Sequence, residues 1–361
     1  MHLTTSAIAA IDVLTAAGIR PSNILLIAKN YEYAHGQFVG NVLRGRGVRI
    51  VPDDQLSDAL FDEVATRVEG ERLRLLTIED GAEIVTRIHA NPRLLRFWIG
   101  GAEQTTRGLW RLKELDIQQP VVALPTSKIK ADFEGPHIAA SGVHALRNFF
   151  PSICVADWRI ALVGLGTIGR HLLIALDELG CDVAGFDQDP IQRLRCRHLR
   201  AKAVKTAAID AIRGADLIIG TAGRLTIDAD IIAAASLHIR IGSLSSERVE
   251  TDVEHLYRSA LRHEPLLRYP AGFPDNRTIG TRFTLPNRRT VDLLCGGAPI
   301  NFSDMGVLCE KHTDVIVGWL ICCGLDLCEG AFPGLKGILT DAADLVFQNH
   351  DLARQYERFW A

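Results

Sequence analysis

The feature that most narrows what this chain can become is the run Arg159-Ile160-Ala161-Leu162-Val163 feeding directly into Gly164-Leu165-Gly166-Thr167-Ile168-Gly169. A short β-branched and aliphatic run reads as a buried strand, and residues 170–179 carry the apolar spacing of an amphipathic helix. Strand, glycine turn and helix in that order form a dinucleotide-binding fingerprint. Gly164 permits the tight turn, Gly166 lets a pyrophosphate approach the backbone, and Gly169 lets helix and strand pack closely, while the helix N-terminus faces the anion. Thr167 and Ile168 complete the turn. The next strand, 182–186, ends at Asp187, where the fingerprint expects an acid. A carboxylate there accepts hydrogen bonds from the adenosine ribose hydroxyls and repels a 2'-phosphate, and no arginine follows at once, so NAD is the expected cofactor rather than NADP. Thr221 and Gly223, Ile241 and Gly242, at the ends of later strand-like runs, are further cofactor candidates. A SAM-binding Rossmann domain shares much of this signature.

At 361 residues the chain has room for two domains, each with its own core. Before the glycine turn, apolar runs at 23–29, 48–52, 73–78, 97–100 and 120–124 alternate with helical stretches. A second series runs through 159–163, 182–186, 217–219 and 238–241. The pattern predicts an α/β protein of two Rossmann-like, doubly wound parallel-sheet domains. The stretch 143–157, broken by Pro151, reads as the connection. Long apolar helices over 307–327 and 337–348 are expected to return to the first domain. The expected boundaries are therefore 1–142, 143–296 and 297–361. In such sheets ligands collect beyond the carboxyl ends of the strands. In the first domain those ends carry Asn30 and Tyr31, then Glu79 and Asp80, then Glu103, Gln104, Thr105 and Thr106, and finally Thr126, Ser127 and Lys130.

Lys and Arg number 40 against 43 Asp and Glu, a formal charge of -3, so no strong global field draws the chain to nucleic acid or an anionic membrane. A small molecule is the expected partner. The eight cysteines sit in apolar stretches without zinc-like or paired spacing, and read as reduced core thiols, with no metal site. Neither a signal peptide nor a run of about 20 apolar residues is evident. The expected compartment is the cytoplasm.

Glu79-Asp80-Gly81-Ala82-Glu83, Glu103-Gln104-Thr105-Thr106-Arg107-Gly108, the stretch 120–134 with Ser127, Lys130 and Phe133, the glycine turn, Asp187-Gln188-Asp189-Pro190-Ile191 and the stretch 289–295 occur in one order over roughly 75–302. Together they make the chain resemble the S-adenosylhomocysteine hydrolase family. The resemblance implies a substrate domain interrupted by an NAD domain, and an adenosine-type nucleoside substrate. In that family bound NAD takes hydride from the ribose 3'-OH, the C4' proton leaves, and the C5' substituent is eliminated. Water then adds at C5' and hydride is returned. Carried over by position, Lys130 would assist deprotonation of the 3'-OH, with Glu134 an acidic neighbour and Asp80 close to the reacting end of the ribose. Gln104 replaces an acid that binds the ribose hydroxyls, and Glu103, Thr105 and Glu83 fall among the substrate-site residues. Thr106 matches a hydroxyl near the nicotinamide, and Asp292 stands where the family has a nicotinamide-proximal asparagine.

The departures cluster on proton transfer. Tyr31 falls where the family has a substrate-site histidine, Gly135 replaces an asparagine, and two further family histidines are Ser243 and Ala298. The segment 350–361 lacks the family's basic, tyrosine-containing tail. If oxidation and elimination persist without water addition, the product is a 4',5'-unsaturated nucleoside, as in the angustmycin type of dehydration. The expected activity is thus a nucleoside dehydratase. A divergent S-adenosylhomocysteine hydrolase and a net nucleoside 3'-dehydrogenase are its competitors, and a non-catalytic nucleotide sensor stands outside them. Tyr31, Tyr33, His35 and His137 are candidates to replace the lost acid-base groups. For His137 and His144 the plainer reading is an ordinary polar helix face. A homo-oligomer, dimer or tetramer, is expected from the resemblance.

Overall fold

The computed structural model describes residues 2–29, 35–151, 157–198, 203–246, 248–269, 276–305 and 310–358. The chain divides into two compact units, Met1–Asp132 with Cys309–Ala361, and Phe133–Leu308. These divisions fall ten and twelve residues away from the expected ones, and at the first of them one helix, Lys128–Phe149, runs through most of the anticipated connection at 143–157. Its residues Ala139, Ala145, Leu146 and Phe149 are buried in the core of the second unit.

Along the chain the first unit supplies β1 (Leu25–Ala28), β2 (Arg49–Pro52), β3 (Leu75–Glu79), β4 (Trp98–Glu103) and β5 (Pro120–Ala123). The second supplies β6 (Arg159–Val163), β7 (Asp182–Phe186), β8 (Leu217–Gly220), β9 (His238–Ser243), β10 (Arg262–Leu267), β11 (Thr278–Thr284) and β12 (Thr290–Leu294). The chain then returns to the first unit with β13 (Gly337–Leu339).

In the first unit the strands do not form one sheet. β1 and β2 pair in parallel by themselves, and a separate parallel sheet runs β13-β5-β4-β3. Val121, Val122 and Ala102 are fully buried, as expected where helices cover a parallel sheet. The segment 337–348 is not one helix. Gly337, at φ +76°, starts the strand that pairs Gly337 with Pro120, and the helix begins only at Ala342. That backbone conformation suits glycine and cannot continue a right-handed helix. The register places Glu79, Glu103 and Ala123 side by side at the carboxyl edge.

The second unit holds a seven-stranded sheet ordered β10-β11-β12-β9-β8-β6-β7. The links from β7 through β6, β8 and β9 to β12 are parallel, and an isolated parallel bridge from Gly185 to Val204 extends the β7 edge. Chain order therefore reverses at β6, with β7 on one side and β8 on the other. A crevice at such a switch point is where open α/β sheets bind ligands. β12, β11 and β10 are antiparallel neighbours, an addition the alternating pattern did not predict. Pro265 lies in β10, the sheet's edge strand, where proline removes no interior ladder bond. The helix Thr167–Glu178 buries Gly169, Leu172, Leu173 and Leu176, one stripe at helical spacing against the sheet. Among the described residues no helix is long and apolar enough to cross a membrane.

Candidate functional site

β6 delivers the glycine turn to the switch point, and its three glycines do different work. Gly164 sits at φ +104°, and a Cβ there would lie 2.7 Å from the Ala222 amide nitrogen. A Cβ on Gly169 would stand 2.0 Å from the Gly164 carbonyl oxygen, so this position is closed by helix packing against the turn. Gly166 is the opposite case: its φ is -64°, and a Cβ there would meet nothing within 4 Å. It heads the helix without a side-chain cap, so the amides of the first turn, which includes Thr167 and Ile168, face outward. An open cradle at a helix N-terminus, floored by glycine, fits a pyrophosphate.

Asp187 follows β7 directly. One carboxylate oxygen accepts from the Leu165 amide at 2.7 Å and the other from the Asp189 amide at 2.8 Å. Each oxygen keeps a further acceptor position, so the group is oriented by the turn and can still receive ribose hydroxyls. Arg193, which the sequence reading passed over, donates to the carbonyls of Asp187 and Gln188 at 2.6 and 3.0 Å. Those bonds direct it at backbone oxygens rather than at the Asp187 carboxylate. The acid and the open turn suit NAD.

Thr221 serves the turn from behind: its hydroxyl donates to the Gly164 carbonyl at 2.7 Å. The Gly223 amide donates to Glu250 at 2.6 Å. Ile241 and Gly242 close β9, with Ile300 3.4 Å from where a Gly242 Cβ would be. Gly135 packs on the same helix start, since a Cβ there would lie 2.6 Å from the His171 ring and 2.9 Å from the Thr167 methyl. That close approach leaves no room for a side chain at position 135, and Glu134 precedes it on the same helix. His137 packs edge-on against Phe133 at 5.6 Å, and burial lowers its pKa. His144 is exposed and bonded to Asn148, a helix face as the plainer reading has it.

Asp292, expected beside the nicotinamide, is bonded within the sheet. Its carboxylate is 1 % exposed and clamped by Arg282 at 2.7 and 2.8 Å and by His238 at 2.8 Å. Burial works to raise this carboxyl, but the bonds from Arg282 and His238 outweigh it and hold it below the usual range. In register Asp292 is level with Arg240, Leu217 and Ile160, three residues below the Val163 end of the sheet. It therefore fastens the β11–β12 hairpin to β9, with both carboxylate oxygens already engaged there.

In the first unit the polar edge separates into groups that hold the scaffold and groups that face outward. Glu103, expected to bind substrate, is fully buried. It accepts the Ala82 amide at 2.7 Å, the Gly81 amide at 3.1 Å, and the amide and hydroxyl of Thr105, both at 2.6 Å. These bonds hold Ala82 in the left-handed region at φ 51°. Thr105 in turn caps the helix Thr106–Leu112 through the Gly108 amide at 2.9 Å. Both residues are thus committed to the backbone. Glu79 accepts the Val85 amide at 2.9 Å, and burial, with the like charge of Glu103 next, pushes its carboxyl up to about 8. Glu83 is exposed and paired with Arg111 at 3.3 Å and Arg87 at 3.6 Å, a surface cluster rather than a ligand pocket.

Asp80 is different. The preceding Glu79 and following Gly81 are held, and its carboxylate gathers His2 at 3.2 Å, Lys29 at 3.5 Å and the Gln104 amide at 3.0 Å. Burial alone would raise its pKa, yet the His2 bond and the Lys29 charge keep it well below the usual carboxylate range. His2 itself is lowered by burial, against the pull of Asp80. An ionised, partly covered carboxylate held by three neighbours, His2, Lys29 and Gln104, can accept a proton or a hydroxyl hydrogen bond. Neither His2 nor Lys29 was singled out. Lys29 lay one residue inside the strand-end window, whereas nothing local marks His2.

Lys130 lies in the first turn of the helix Lys128–Phe149, its amide bonded to the buried Ser127 hydroxyl at 2.9 Å. It rises from the carboxyl edge of β5, on the same sheet edge as Asp80. Thr106 is exposed at its helix start, and His35 precedes the helix Gly36–Gly45 without capping it. Tyr31, Tyr33 and Asn30 lie outside the described residues.

The fold and turn define a Rossmann-type dinucleotide-binding unit joined in one chain to a second α/β unit. No protein-family model matches the chain. It is similar to the adenosylhomocysteinase of Haloquadratum walsbyi, 26% identical over 213 residues, covering 56% of this chain and 48% of the relative. It is also similar to the adenosylhomocysteinase of Saccharolobus solfataricus, 24% identical over 63% of this chain and 53% of the relative. The chain thus spans about half the length of these curated relatives. Among solved structures it is similar to an NADPH-dependent glyoxylate/hydroxypyruvate reductase from Sinorhizobium meliloti, at 14% identity, 74% and 96% coverage and a TM-score of 0.41.

Proposed function

We propose that this chain is an NAD-dependent enzyme of adenosylhomocysteinase-like chemistry that removes water from an adenosine-type nucleoside, leaving a 4',5' double bond. The open Gly166 cradle beside Asp187 supports the cofactor assignment. One observation carries the finer reading. Ser243 and Ala298, which replace two family histidines, come together at the end of β9, where Ser243 bridges to Pro299 in parallel. The Ser243 hydroxyl accepts the Ser245 amide at 3.1 Å, and no titratable side chain occupies either position. No imidazole therefore stands at either position, and proton transfer at the C5' oxygen is left to Asp80, the acid that the elimination itself has just protonated.

NAD, when bound, supplies a hydride acceptor for C3' and returns the hydride at the end. Lys130 is assigned the 3'-hydroxyl proton. Asp80, kept ionised by His2 and Lys29, is assigned the C4' proton. The C5'–O bond would then break as the C4' electron pair forms the double bond, with Asp80 handing the C4' proton to the departing hydroxide and Lys130 returning its proton to O3', so the sum is loss of one water without net redox change. Gln104, bonded to Asp80, presents its amide to the ribose hydroxyls.

The names of the curated relatives favour a second reading, a divergent hydrolase of S-adenosylhomocysteine. Incubation with 5'-hydroxy nucleosides and with S-adenosylhomocysteine, analysed by mass spectrometry, separates the two. The expected product is a nucleoside lighter by one water, formed with no free NADH and lost in Lys130→Met and Asp80→Asn. Thioether cleavage supports the second reading instead, and NADH released in proportion to a 3'-ketone sinks both.

A further inference from the structure

Four hydrogen-bond donors from the segment after β8 and the segment after β9 converge on one buried carboxylate, Glu250, which is 1 % exposed. The Gly223 amide and the Thr226 hydroxyl each reach it at 2.6 Å, and the Ala222 amide and Ser245 side chain bond it as well. Its own carbonyl oxygen accepts the Thr226 and Ile227 amides at 3.0 and 2.8 Å. The segment so held is the one that backs the glycine turn. Thr221 donates to the Gly164 carbonyl, and the Ala222 nitrogen stands 2.7 Å from where a Gly164 Cβ would be. Glycine at 220 is required as well, because a Cβ there would lie 2.7 Å from the Glu250 side chain.

We infer that Glu250 is a positioning residue for the dinucleotide: by gathering the amides of Ala222 and Gly223 it sets the wall of the crevice on the β8 side. This inference rests on the NAD reading. A carboxylate is the only side chain of this size that accepts on every face. Glutamine of the same shape keeps one oxygen for the fixed N–H groups but turns an NH2 toward the Thr226 and Ser245 hydroxyls, which must then accept instead of donate and lose their bonds to a charged acceptor, so the segment is held less firmly. The ligand half over β7, where Asp187 stands, lies on the other side of β6 and does not depend on that wall.

The test is titration of the full-length chain and of Glu250→Gln with NAD and, by competition, with AMP, which occupies only the adenosine half. Glu250→Gln is expected to weaken NAD about tenfold or more while AMP affinity stays within about twofold. Equal losses for both ligands identify a merely structural group and overturn the inference, as does unchanged NAD affinity. Should Glu250→Gln fail to fold, Thr226→Val decides, since it removes one donor and keeps the shape. A loss of about threefold for NAD alone supports the inference, and no loss overturns it. If the parent chain binds AMP but no NAD, it is the cofactor reading that fails.

Discussion

Gly166 and Gly169 are one residue type three positions apart, and the space around them assigns opposite tasks. A methyl at 166 enters open space at an ordinary backbone angle, whereas a methyl at 169 is driven into the Gly164 carbonyl at 2.0 Å. Gly166→Ala is therefore expected to leave thermal unfolding unchanged and weaken NAD at least about tenfold, because only the ligand needs that space. Gly169→Ala is expected to cost about 1–3 kcal/mol of stability in denaturant unfolding. If Gly166→Ala binds NAD like the parent, the pyrophosphate does not cross this turn. The fingerprint itself was readable, since it depends on local order alone. The acids were not: Glu79, Glu83, Glu103 and Asp80 look alike along the chain. Only burial and backbone amides make Glu103 a scaffold, Glu79 a group raised to about 8, Glu83 a surface partner and Asp80 an ion.

Among elements, the parallel strands announced themselves by apolar runs, and β6 and β7 match the ranges read for them. The β10-β11-β12 end escaped, because strands such as Arg262–Leu267 mix charge, proline and partial exposure and carry no buried-run signal. Their attachment is the Asp292 clamp. Asp292→Asn removes the carboxylate that Arg282 and His238 share, and because those side chains are 36% and 44% exposed, water replaces part of the lost bonding and the cost is about 1–2 kcal/mol. Urea unfolding is expected to show a loss of that order with NAD affinity retained, since Asp292 lies level with Ile160 rather than with the turn. A selective loss of NAD binding with stability intact would reinstate Asp292 at the nicotinamide.

For the molecule as a whole, the important fact is that the first unit is assembled from both ends of the chain. β13 adds to β5, and Trp319, fully buried in the helix Glu310–Glu329, donates to the Ala343 carbonyl at 2.7 Å and packs on Phe347 at 4.7 Å. A chain terminated after Lys336 loses all three contacts and is expected to lose at least about 3 kcal/mol of stability. One terminated after Glu357 keeps them. Circular dichroism melts of the two truncations check this, and equal melting points would show that β13 is dispensable. The boundaries of the units were the least readable feature, because one continuous helix, Lys128–Phe149, runs through the first division and nothing along its sequence marks the point where its core contacts begin.

By itself the sequence determined whatever depends on neighbours along the chain: the α/β alternation, the turn from Val163 to Gly169, and the acid at the end of β7. The tertiary structure decided whatever depends on which distant groups meet. It put His2 and Lys29 on Asp80, spent Glu103 and Thr105 on the backbone, clamped Asp292 between Arg282 and His238, and set Glu250 behind the glycine turn. The reason is that dihedral preference and apolar periodicity act over a few residues. Ionisation and hydrogen-bond partnership are settled only when burial removes water and packing chooses what replaces it.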